Sequence, residues 1–513
     1  MQPTLRNIGL TITCGVSILA QTPDPKSCER LKSLALANTT ISAAETVPAG
    51  PFTLTGRGVN SAASLDLPAY CRVAATIKPT ADSDIEMVLW IPVSEWNRKL
   101  LAIGNGGWAG GINTLSLAFG LREHYATVST DRGHNGSSAS FALGHPEKLT
   151  DFAYRAVHEM TLQTKAIIAV YYGNAPKYSY FTGCSSGGDQ GLREAQRYPE
   201  DYDGVVAGAP GNYWTHLMAT GLWIAQATLK DKASFLPPGK LQLLNRAVLA
   251  ACDSLDGIND GLLDDPRRCR FDPATLLCPS GEDSPTCLTG PQVEAIKKIY
   301  AGPTSPRTRA VIYPGLEPGS EPGWAMIAGG PEPFQIHYDH YRYIVHEDST
   351  WDWHTFDLDR DVALADQKDH GTLNAIEPDL QRFESHGGKI ILYHGWSDPF
   401  LAPGNTINYY ESVATAMGKA TTGFIRLFLV PGMEHCRGGP GPNQFNALAA
   451  LERWVEAGIA PDRIIAQHVT ESRVDMERPL CPYPQVARWR GIGSTNDASN
   501  FACVAPPPTN RPK

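Results

Sequence analysis

The chain is 513 residues long, 42% hydrophobic and 19% charged, with a formal net charge of −9. This length is enough for a large hydrophobic core and for more than one domain. The mild acidity and the lack of any basic run argue against nucleic acid as a partner, because binding to phosphates needs clustered Lys and Arg. The composition therefore favours a globular protein that acts on a neutral or small substrate.

The first twenty residues differ from the rest. Arg6 precedes an apolar stretch over residues 8–19, and the small residue Ala20 follows it. This is the layout of a signal peptide, so we predict one over residues 1–20 and a secreted or periplasmic protein. A buried N-terminal strand is the alternative. The stretch is too short to anchor the chain in a membrane, and no later segment reaches membrane-spanning length.

Six β-prone apolar runs each end in a glycine-rich or polar turn. They cover residues 99–103, 125–129, 178–182, 205–207, 389–393 and 424–430. Continuous apolar runs bounded by turns suit strands that are buried on both faces of a parallel sheet. Stretches with helical spacing, over residues 152–172 and 188–197, lie between the runs. This alternation predicts an α/β fold whose active residues lie just beyond the carboxyl ends of the strands.

One long segment interrupts the alternation. Residues 212–385 are rich in Pro, Trp and Cys and lack a series of strand-like runs. We interpret this segment as a lid domain inserted between two parts of the core, residues 21–211 and 386–513. A set of ordinary long loops is the alternative, but loops of that length are uncommon inside a compact domain.

The cysteines favour an oxidising compartment. Ten of the eleven remain once Cys14 leaves with the signal peptide, and an even number suits disulfide pairing. Sequence proximity suggests four pairs, namely Cys28–Cys71, Cys252–Cys269, Cys278–Cys287 and Cys481–Cys503. Cys184 and Cys436 are then left over. The chain has no Cys-x-x-Cys pair, which argues against a zinc site.

A candidate nucleophile lies in the segment 183–187, which matches the pattern G-x-S-x-G. A predicted strand precedes this segment and a predicted helix follows it, as in a nucleophile elbow, the strained turn that presents a catalytic serine. We therefore predict Ser185 as the nucleophile. Ser186 is the rival nucleophile, but it does not occupy the serine position of the motif. Its backbone N–H is better placed to stabilise an oxyanion. A glycine-rich turn without chemistry is the alternative.

The base and the acid follow from chain order. A serine needs a base to take its proton, and in this type of fold the acid and then the histidine come after the serine. Asp398 and His435 each follow a late predicted strand in that order, so we predict them as acid and base. His394 is a rival base, but it precedes the predicted acid. Asp201 and Asp203 are rival acids.

The two leftover cysteines flank these residues. Cys184 precedes the predicted nucleophile, and Cys436 follows the predicted base. Because a triad brings its serine and histidine within hydrogen-bond reach, the neighbouring cysteines should also be close, and a disulfide between them would fix the catalytic geometry. Two unpaired buried cysteines are the alternative.

In this region the chain resembles the tannase and feruloyl esterase family. That family is marked by Cys-Ser, Asp and His-Cys, which stand here as Cys184-Ser185, Asp398 and His435-Cys436. The matching blocks are GCSSGGDQG, YDGVVAGAP, ILYHGWSD, LFLVPGMEHCRGGPG and RPLCPYPQ. The resemblance implies a disulfide-linked triad in an α/β-hydrolase core with an inserted lid. It also implies hydrolysis of esters of aromatic acids such as gallate or ferulate, with mono(2-hydroxyethyl) terephthalate as the neighbouring possibility.

An acidic loop in the predicted lid is a candidate metal site. Asp253, Asp256 and Asp260, with glycines between them, suit a hard cation that takes oxygen ligands, although a solvated acidic turn fits the spacing equally well. The family resemblance implies a structural Ca²⁺ held by these three carboxylates and by the backbone carbonyls of Ile258 and Leu262. It implies no organic cofactor.

An oxyanion hole needs two N–H donors. The Ser186 amide is one candidate, and analogy with the fold places the second in the loop 106–109, where we predict Ala109. Asp131 and His134 follow the same edge of the predicted sheet and could line the pocket.

The acyl group of the substrate is not determined by these motifs. Trp324, Trp351 and Trp353 could stack on an aromatic ring, although packing within the lid is the simpler role for each. A substrate with a free carboxylate would favour a lid arginine, for which Arg342 is available. A non-catalytic binding protein and a serine peptidase of the same fold are rival functions, and the family resemblance favours a small aromatic ester.

Overall fold

The structure is a computed structural model that describes residues 27–53 and 64–506. The predicted signal peptide lies outside the described residues. Within the described part of the chain, none of the helices combines the length and the apolar character needed to cross a bilayer.

The architecture centres on one large sheet. Nine strands pair in the order β1-β4-β5-β7-β6-β8-β9-β10-β11. The strands are β1 (Thr39–Val47), β2 (Gly50–Thr53), β3 (Ser64–Leu67), β4 (Tyr70–Ile77), β5 (Ile85–Pro92), β6 (Lys99–Ile103), β7 (Ala126–Thr130), β8 (Tyr178–Cys184), β9 (Gly204–Gly208), β10 (Lys389–Gly395), β11 (Ile425–Val430), β12 (Ile464–Thr470), β13 (Arg473–Leu480), β14 (Val486–Trp489) and β15 (Phe501–Val504). The strands outside the large sheet form three antiparallel pairs, β2–β3, β12–β13 and β14–β15.

The six predicted runs form the parallel part of the sheet. Strands β6 to β11 pair in parallel with their neighbours, and β7 and β9 are buried along their whole length. Burial from both faces explains why these segments have no polar alternation. The bounds differ slightly from prediction, since β7 begins one residue later and Phe424 belongs to a short helix before β11.

The sequence analysis did not find the antiparallel end of the sheet. Strands β1, β4 and β5 extend it through antiparallel pairing, and β5 joins β7. In β4, buried residues alternate with half-buried ones. The sequence of such a strand alternates between apolar and more polar residues and has no continuous apolar run. The criterion used for buried parallel strands therefore did not identify it.

Helices cover both faces of the sheet and build the segment between β9 and β10. They are α1 (Thr114–Arg122), α2 (Pro146–Thr150), α3 (Ala156–Tyr172), α4 (Ser186–Arg197), α5 (Trp214–Thr228), α6 (Pro238–Cys252), α7 (Gly290–Ala301), α8 (Ala325–Ala328), α9 (Gln335–Asp339), α10 (Leu358–Asp369), α11 (Gln381–Ser385), α12 (Pro403–Met417), α13 (Thr421–Phe424) and α14 (Ala447–Ala457). Turns of π-helix precede α3 and follow α9.

The inserted segment has its own apolar cluster. The chain leaves the sheet at the end of β9 and returns at β10, and residues 209–388, all of which the structure describes, form helices and loops without a named strand. Leu217, Tyr341 and Trp353 belong to a buried cluster of this segment, which continues into the core at Trp108 and Leu401. The fold is therefore an α/β-hydrolase core with an inserted lid, as predicted.

All five disulfides are formed. The four pairs suggested by proximity are Cys28–Cys71, Cys252–Cys269, Cys278–Cys287 and Cys481–Cys503, and the fifth joins Cys184 to Cys436. The fifth is the one that spans the lid, with a sequence separation of 252 residues.

Candidate active site

Ser185 occupies a strained turn between β8 and α4. Its backbone angles, φ 64° and ψ −124°, lie in a region that residues with a side chain rarely adopt. The Ser185 N–H donates to the Gly208 carbonyl at 2.9 Å, and its own carbonyl accepts from the Asp189 and Gly211 amides. The neighbouring strand and helix thus hold the turn in the conformation expected of a nucleophile elbow.

Glycines make this turn possible because the backbone around it is crowded. A Cβ atom on Gly183 would lie 2.4 Å from the Gly187 carbonyl oxygen. A Cβ atom on Gly188 would lie 2.4 Å from the Gly208 carbonyl oxygen. Gly183 of the pattern G-x-S-x-G, and Gly188 directly after the pattern, therefore serve the close packing of α4 against β8 and β9.

Asp398 and His435 are hydrogen-bonded to each other at the ends of β10 and β11. His435 Nδ1 lies 2.7 Å from Asp398 Oδ2. The carboxylate is completely buried, whereas the imidazole is 20% exposed. Asp398 Oδ1 accepts from the backbone amides of Phe400 and Leu401. With its Nδ1 engaged by the acid, the imidazole has its Nε2 free to act as a base.

His394 is the second partner of the acid rather than a base. Its Nε2 lies 3.1 Å from Asp398 Oδ2 and 3.0 Å from the Leu401 carbonyl, and its Nδ1 lies 2.7 Å from Thr406 Oγ1. The side chain is fully buried behind the acid. The sequence analysis considered His394 as a rival of His435, and the structure places both on the same carboxylate.

These contacts determine the charge of the acid. Burial alone would raise the pKa of Asp398, but the adjacent His435 and His394 outweigh that effect and hold the pKa well below its usual range. The carboxylate is therefore ionised at any ordinary pH, as the orienting acid of a triad needs to be.

Ser185 and His435 meet at one cavity of about 120 Å³. Most of its remaining wall is apolar and comes from α5, from the segment that leads into α9 and from the loop after Asp398. The full lining is Gly107, Ser185, Ser186, Gly211, Trp214, Leu217, Met218, Phe334, Ile336, His337, Phe400, Leu401 and His435. The rings of Phe334 and Phe400 lie nearly parallel, with an interplanar angle of 14° and centroids 5.6 Å apart. The shape and chemistry suit a planar apolar group bound next to the nucleophile.

The environment of Ser186 fits a supporting role. As the first residue of α4 it has no acceptor for its N–H within the helix. Its hydroxyl accepts a hydrogen bond of 2.7 Å from Arg132 Nη1. Arg132 is completely buried, which lowers its pKa to about 9, and its Nε donates to the Phe152 carbonyl. No sequence motif points to a role for this arginine.

The loop after β6 places Gly107 in the cavity wall, and not the predicted Ala109. The Ala109 N–H, predicted as the second oxyanion donor, donates to the Gly106 carbonyl at 2.9 Å. Ala109 is absent from the cavity wall, where Gly107 lies instead. The turn that engages the Ala109 amide thus turns Gly107 toward the nucleophile.

The other polar candidates lie away from the cavity. Asp201 pairs with His158 at 2.7 Å, and Asp203 accepts from the Ser179 amide. Asp131 accepts from the backbone amides of Glu86 and Gly133. His134 Nε2 lies 2.7 Å from the Trp108 carbonyl, and burial lowers its pKa to about 4. These four side chains stabilise loops and turns.

The aromatic and basic residues singled out in the lid also lie off the cavity. Trp324, Trp351 and Trp353 belong to the lid core. Arg342 donates to the Ser349 carbonyl, and its guanidinium packs against the rings of Tyr338 and Tyr343. None of the four lines the wall that contains Ser185.

The disulfide between Cys184 and Cys436 joins the turn of the nucleophile to the loop of the histidine. The two Cα atoms are 5.9 Å apart. Cys436 has φ 64°, so the loop turns sharply straight after His435. In the chain-entropy model a loop of this length is worth about 5 kcal/mol of stability when closed.

The acidic loop of the lid places the three predicted carboxylates in one short segment, but among the described residues their oxygens are not gathered within the 4.8 Å of one another that a shared metal ion needs. Asp256 Oδ2 is buried without a hydrogen-bond partner. Burial and the nearby Asp260 and Asp253 raise the pKa of Asp256 to about 6. Asp260 also forms an ion pair of 2.7 Å with Arg478, a residue that the sequence analysis did not consider. Asp253 and Asp260 already accept from backbone amides, which leaves Asp256 Oδ2 as the oxygen of the loop that a bound cation would satisfy.

The fold and the meeting of an elbow serine with a histidine at one cavity define an α/β-hydrolase. Residues 71–504 match the family described as tannase and feruloyl esterase. The chain belongs to that family and is a carboxylic ester hydrolase. An uncharacterised esterase of Xanthomonas campestris is 40% identical over 98% of this chain and 95% of its own length. A probable feruloyl esterase B of Aspergillus clavatus is 33% identical over 91% of this chain and 93% of its own.

Solved structures agree with this assignment. Feruloyl esterase B from Aspergillus oryzae matches with a TM-score of 0.87 at 31% identity, covering 94% of this chain and 100% of that one. Tannin acyl hydrolase from Aspergillus niger matches with a TM-score of 0.79, covering 94% and 95% of the two chains. The second pair is 24% identical, so that likeness shows the shared fold alone.

The position of His394 leads to a first prediction. His394→Leu removes one partner of the buried acid, so the pKa of Asp398 should rise and its position should be less fixed. We expect kcat on p-nitrophenyl acetate to fall on the order of tenfold, as for the loss of one hydrogen bond. His435→Ala, the matched comparison, should remove nearly all activity. Equal losses in the two variants would contradict the supporting role of His394.

The disulfide leads to a second prediction. Replacing both Cys184 and Cys436 by Ala should lower kcat more than the loss of stability explains, because a misplacement of about 1 Å between catalytic groups can lower a rate on the order of a hundredfold. Activity should be measured at a temperature where circular dichroism shows the variant to be folded. The pair Cys252 and Cys269 in the lid, replaced in the same way, is the control. A double variant at 184 and 436 with full kcat would contradict the prediction.

Proposed function

We propose that this protein hydrolyses esters of aromatic, phenolic acids such as ferulate or gallate, with Ser185 as nucleophile, His435 as base and Asp398 as the orienting acid. The observation that carries the proposal is the single cavity at which the elbow serine and the histidine meet. Its wall is otherwise mainly aromatic and aliphatic. The names of relatives, among them a probable feruloyl esterase B, support the same substrate class.

The chemistry follows from the contacts. The Ser185 hydroxyl attacks the ester carbonyl while His435 Nε2 takes its proton, since Nδ1 is held by Asp398. The negative charge that forms on the carbonyl oxygen is stabilised by the Ser186 amide at the start of α4 and, in this proposal, by the Gly107 amide. His435 then protonates the leaving alcohol. Water, activated by the same imidazole, releases the acid and restores the serine.

The charge of the cavity wall favours a neutral acyl group. No Lys or Arg lines the cavity of the described structure, and Arg342 is engaged with the Ser349 carbonyl elsewhere in the lid. A terephthalate monoester would bring a carboxylate into this apolar space without a cation to pair with it. We therefore place the phenolic esters ahead of mono(2-hydroxyethyl) terephthalate. Comparing kcat/KM for methyl ferulate, methyl gallate and the terephthalate monoester tests this order.

Two rival functions have distinct signatures. A binding protein on this fold would bind an aromatic ester without consuming it. A peptidase would cleave an amide that carries the same acyl group as the ester. Comparing the hydrolysis rates of this ester and amide separates the two activities. The family assignment favours the ester.

The nucleophile leads to a third prediction. Ser185→Ala should abolish hydrolysis of methyl ferulate down to the residual rate that binding and oxyanion stabilisation supply, while the melting temperature stays close to that of the parent. Ser186→Ala is the matched control, because its proposed contribution is a backbone amide that alanine retains. Full activity in Ser185→Ala together with an inactive Ser186→Ala would overturn the assignment.

We also propose that the acidic loop holds a structural Ca²⁺ through Asp253, Asp256 and Asp260, with the carbonyls of Ile258 and Leu262. The ion would neutralise the crowded carboxylates. The loop lies in the lid and contributes no residue to the cavity wall, so the ion takes no part in the chemistry. Pairing of ten cysteines into five disulfides supports a further proposal, that the protein is secreted or periplasmic.

The calcium proposal leads to a fourth prediction. A ligand that binds only the folded state stabilises it by mass action, so removing Ca²⁺ with a chelator should lower the melting temperature before kcat changes. Adding Ca²⁺ back should restore it. In Asp256→Asn the shift caused by the chelator should be much smaller. The same melting temperature with and without Ca²⁺, on protein shown by elemental analysis to be metal-free, would contradict the proposal.

A further inference from the structure

One polar side chain in the cavity wall has no role in the triad. His337 lies in α9, within the lid, and is only 2% exposed. It lines the cavity next to Phe334 and Ile336, on the wall that the lid provides. Ser185 lies on the wall that the core provides. The cavity is therefore lined both by the proposed nucleophile and by an imidazole from the lid.

Within the described part of the chain, the imidazole of His337 forms no hydrogen bond with another residue. Its Nδ1 is buried without a hydrogen bond and faces α5, where a Cβ atom on Gly221 would lie 2.3 Å from it. Burial is the one cause that lowers the pKa of His337, to about 4, because no charged group is close enough to oppose it. The ring is thus neutral at ordinary pH, with Nε2 as the nitrogen left to meet the contents of the cavity.

A buried polar group without a partner is unfavourable unless something binds to it. A neutral imidazole nitrogen can exchange a hydrogen bond with a hydroxyl group. The nearly parallel rings of Phe334 and Phe400 have centroids 5.6 Å apart, so they pack against each other and present an aromatic surface to the cavity against which a substrate ring can lie. With the ester carbonyl of the substrate at Ser185, the substituent at the far end of its aromatic ring would lie toward the lid.

We propose that His337 binds the ring hydroxyl of the phenolic acyl group and thereby makes the enzyme selective for hydroxylated aromatic esters. This inference rests on the proposed function and adds the group that recognises the ring. The neutral imidazole suits a hydroxyl but does not neutralise a carboxylate. An alkyl group in the same place would leave the imidazole unpaired, which is the situation in which enzymes discriminate most strongly.

The test uses two esters of the same shape. Methyl 4-hydroxycinnamate and methyl 4-methylcinnamate differ in whether the 4-substituent can form a hydrogen bond. We expect the parent enzyme to favour the hydroxylated ester in kcat/KM on the order of tenfold, as for one hydrogen bond. In His337→Leu that ratio should fall to about one, mainly through the hydroxylated ester. His337→Gln, whose amide can replace Nε2, should retain much of the ratio.

His340 provides the matched control. It follows His337 by three residues, is 1% exposed and has both ring nitrogens buried without partners, but it does not line the cavity. His340→Leu should therefore keep the ratio of the parent enzyme, whatever it does to stability. If His337→Leu does not fold, His337→Phe, a second side chain that cannot form the hydrogen bond, takes its place and should likewise bring the ratio to about one.

The outcomes separate this inference from the proposed function. A parent enzyme that hydrolyses both cinnamates equally well would overturn the role of His337 and leave the esterase assignment intact. A ratio that survives in His337→Leu would do the same, as would equal losses on both esters, which packing alone predicts. No hydrolysis of any aromatic ester by folded parent enzyme would overturn the proposed function and this inference with it.

Discussion

The active site depends on the pairing of β9 with β10. These strands lie on opposite sides of the lid in sequence, yet they are in register from Gly204 opposite Lys389 to Gly208 opposite Tyr393. The Gly208 carbonyl accepts from the Ser185 amide, and the Ala209 amide donates to the Tyr393 carbonyl at 2.7 Å. The backbone that fixes the serine and the backbone that leads to the acid are thus one continuous hydrogen-bonded structure.

His435 is positioned less directly than Ser185, and several contacts together fix its place. Two backbone amides and His394 hold the Asp398 carboxylate in place. The carboxylate in turn orients His435 through one hydrogen bond of 2.7 Å. The disulfide of Cys436 secures the same loop from the other side. In the proposed triad, a partly exposed imidazole at the end of an outer strand needs this support, because the base has to keep its position relative to Ser185 through every turnover.

Sequence patterns predicted the parts that carry strong local signals. The buried strands appear in the sequence as apolar runs, and the elbow appears as its glycines. Chain order selected Asp398 and His435, which the structure joins by a hydrogen bond, and their catalytic roles stay a prediction. Among the antiparallel strands, β4 shows only an alternation of buried and half-buried residues, and the sequence analysis did not predict these strands. Contacts that depend on tertiary packing, such as that of Arg132 with Ser186, carry no local signal. His394 was recognisable in the sequence as a candidate, but its contact with Asp398 was not. Ala109 was expected from analogy, and a single turn hydrogen bond to Gly106 places Gly107 at the cavity instead.

The place of the lid between neighbouring strands also bears on how the chain can assemble. Strand β9 is synthesised or translocated well before β10, and residues 209–388 must follow before its partner arrives. Until then the segment Gly204–Gly208, which is fully buried in the finished sheet, is an apolar edge with unpaired backbone groups. Such edges pair readily with other chains. The same insertion that shapes the cavity therefore delays the pairing of β9 with β10 and prolongs the time during which this apolar strand can associate with other chains.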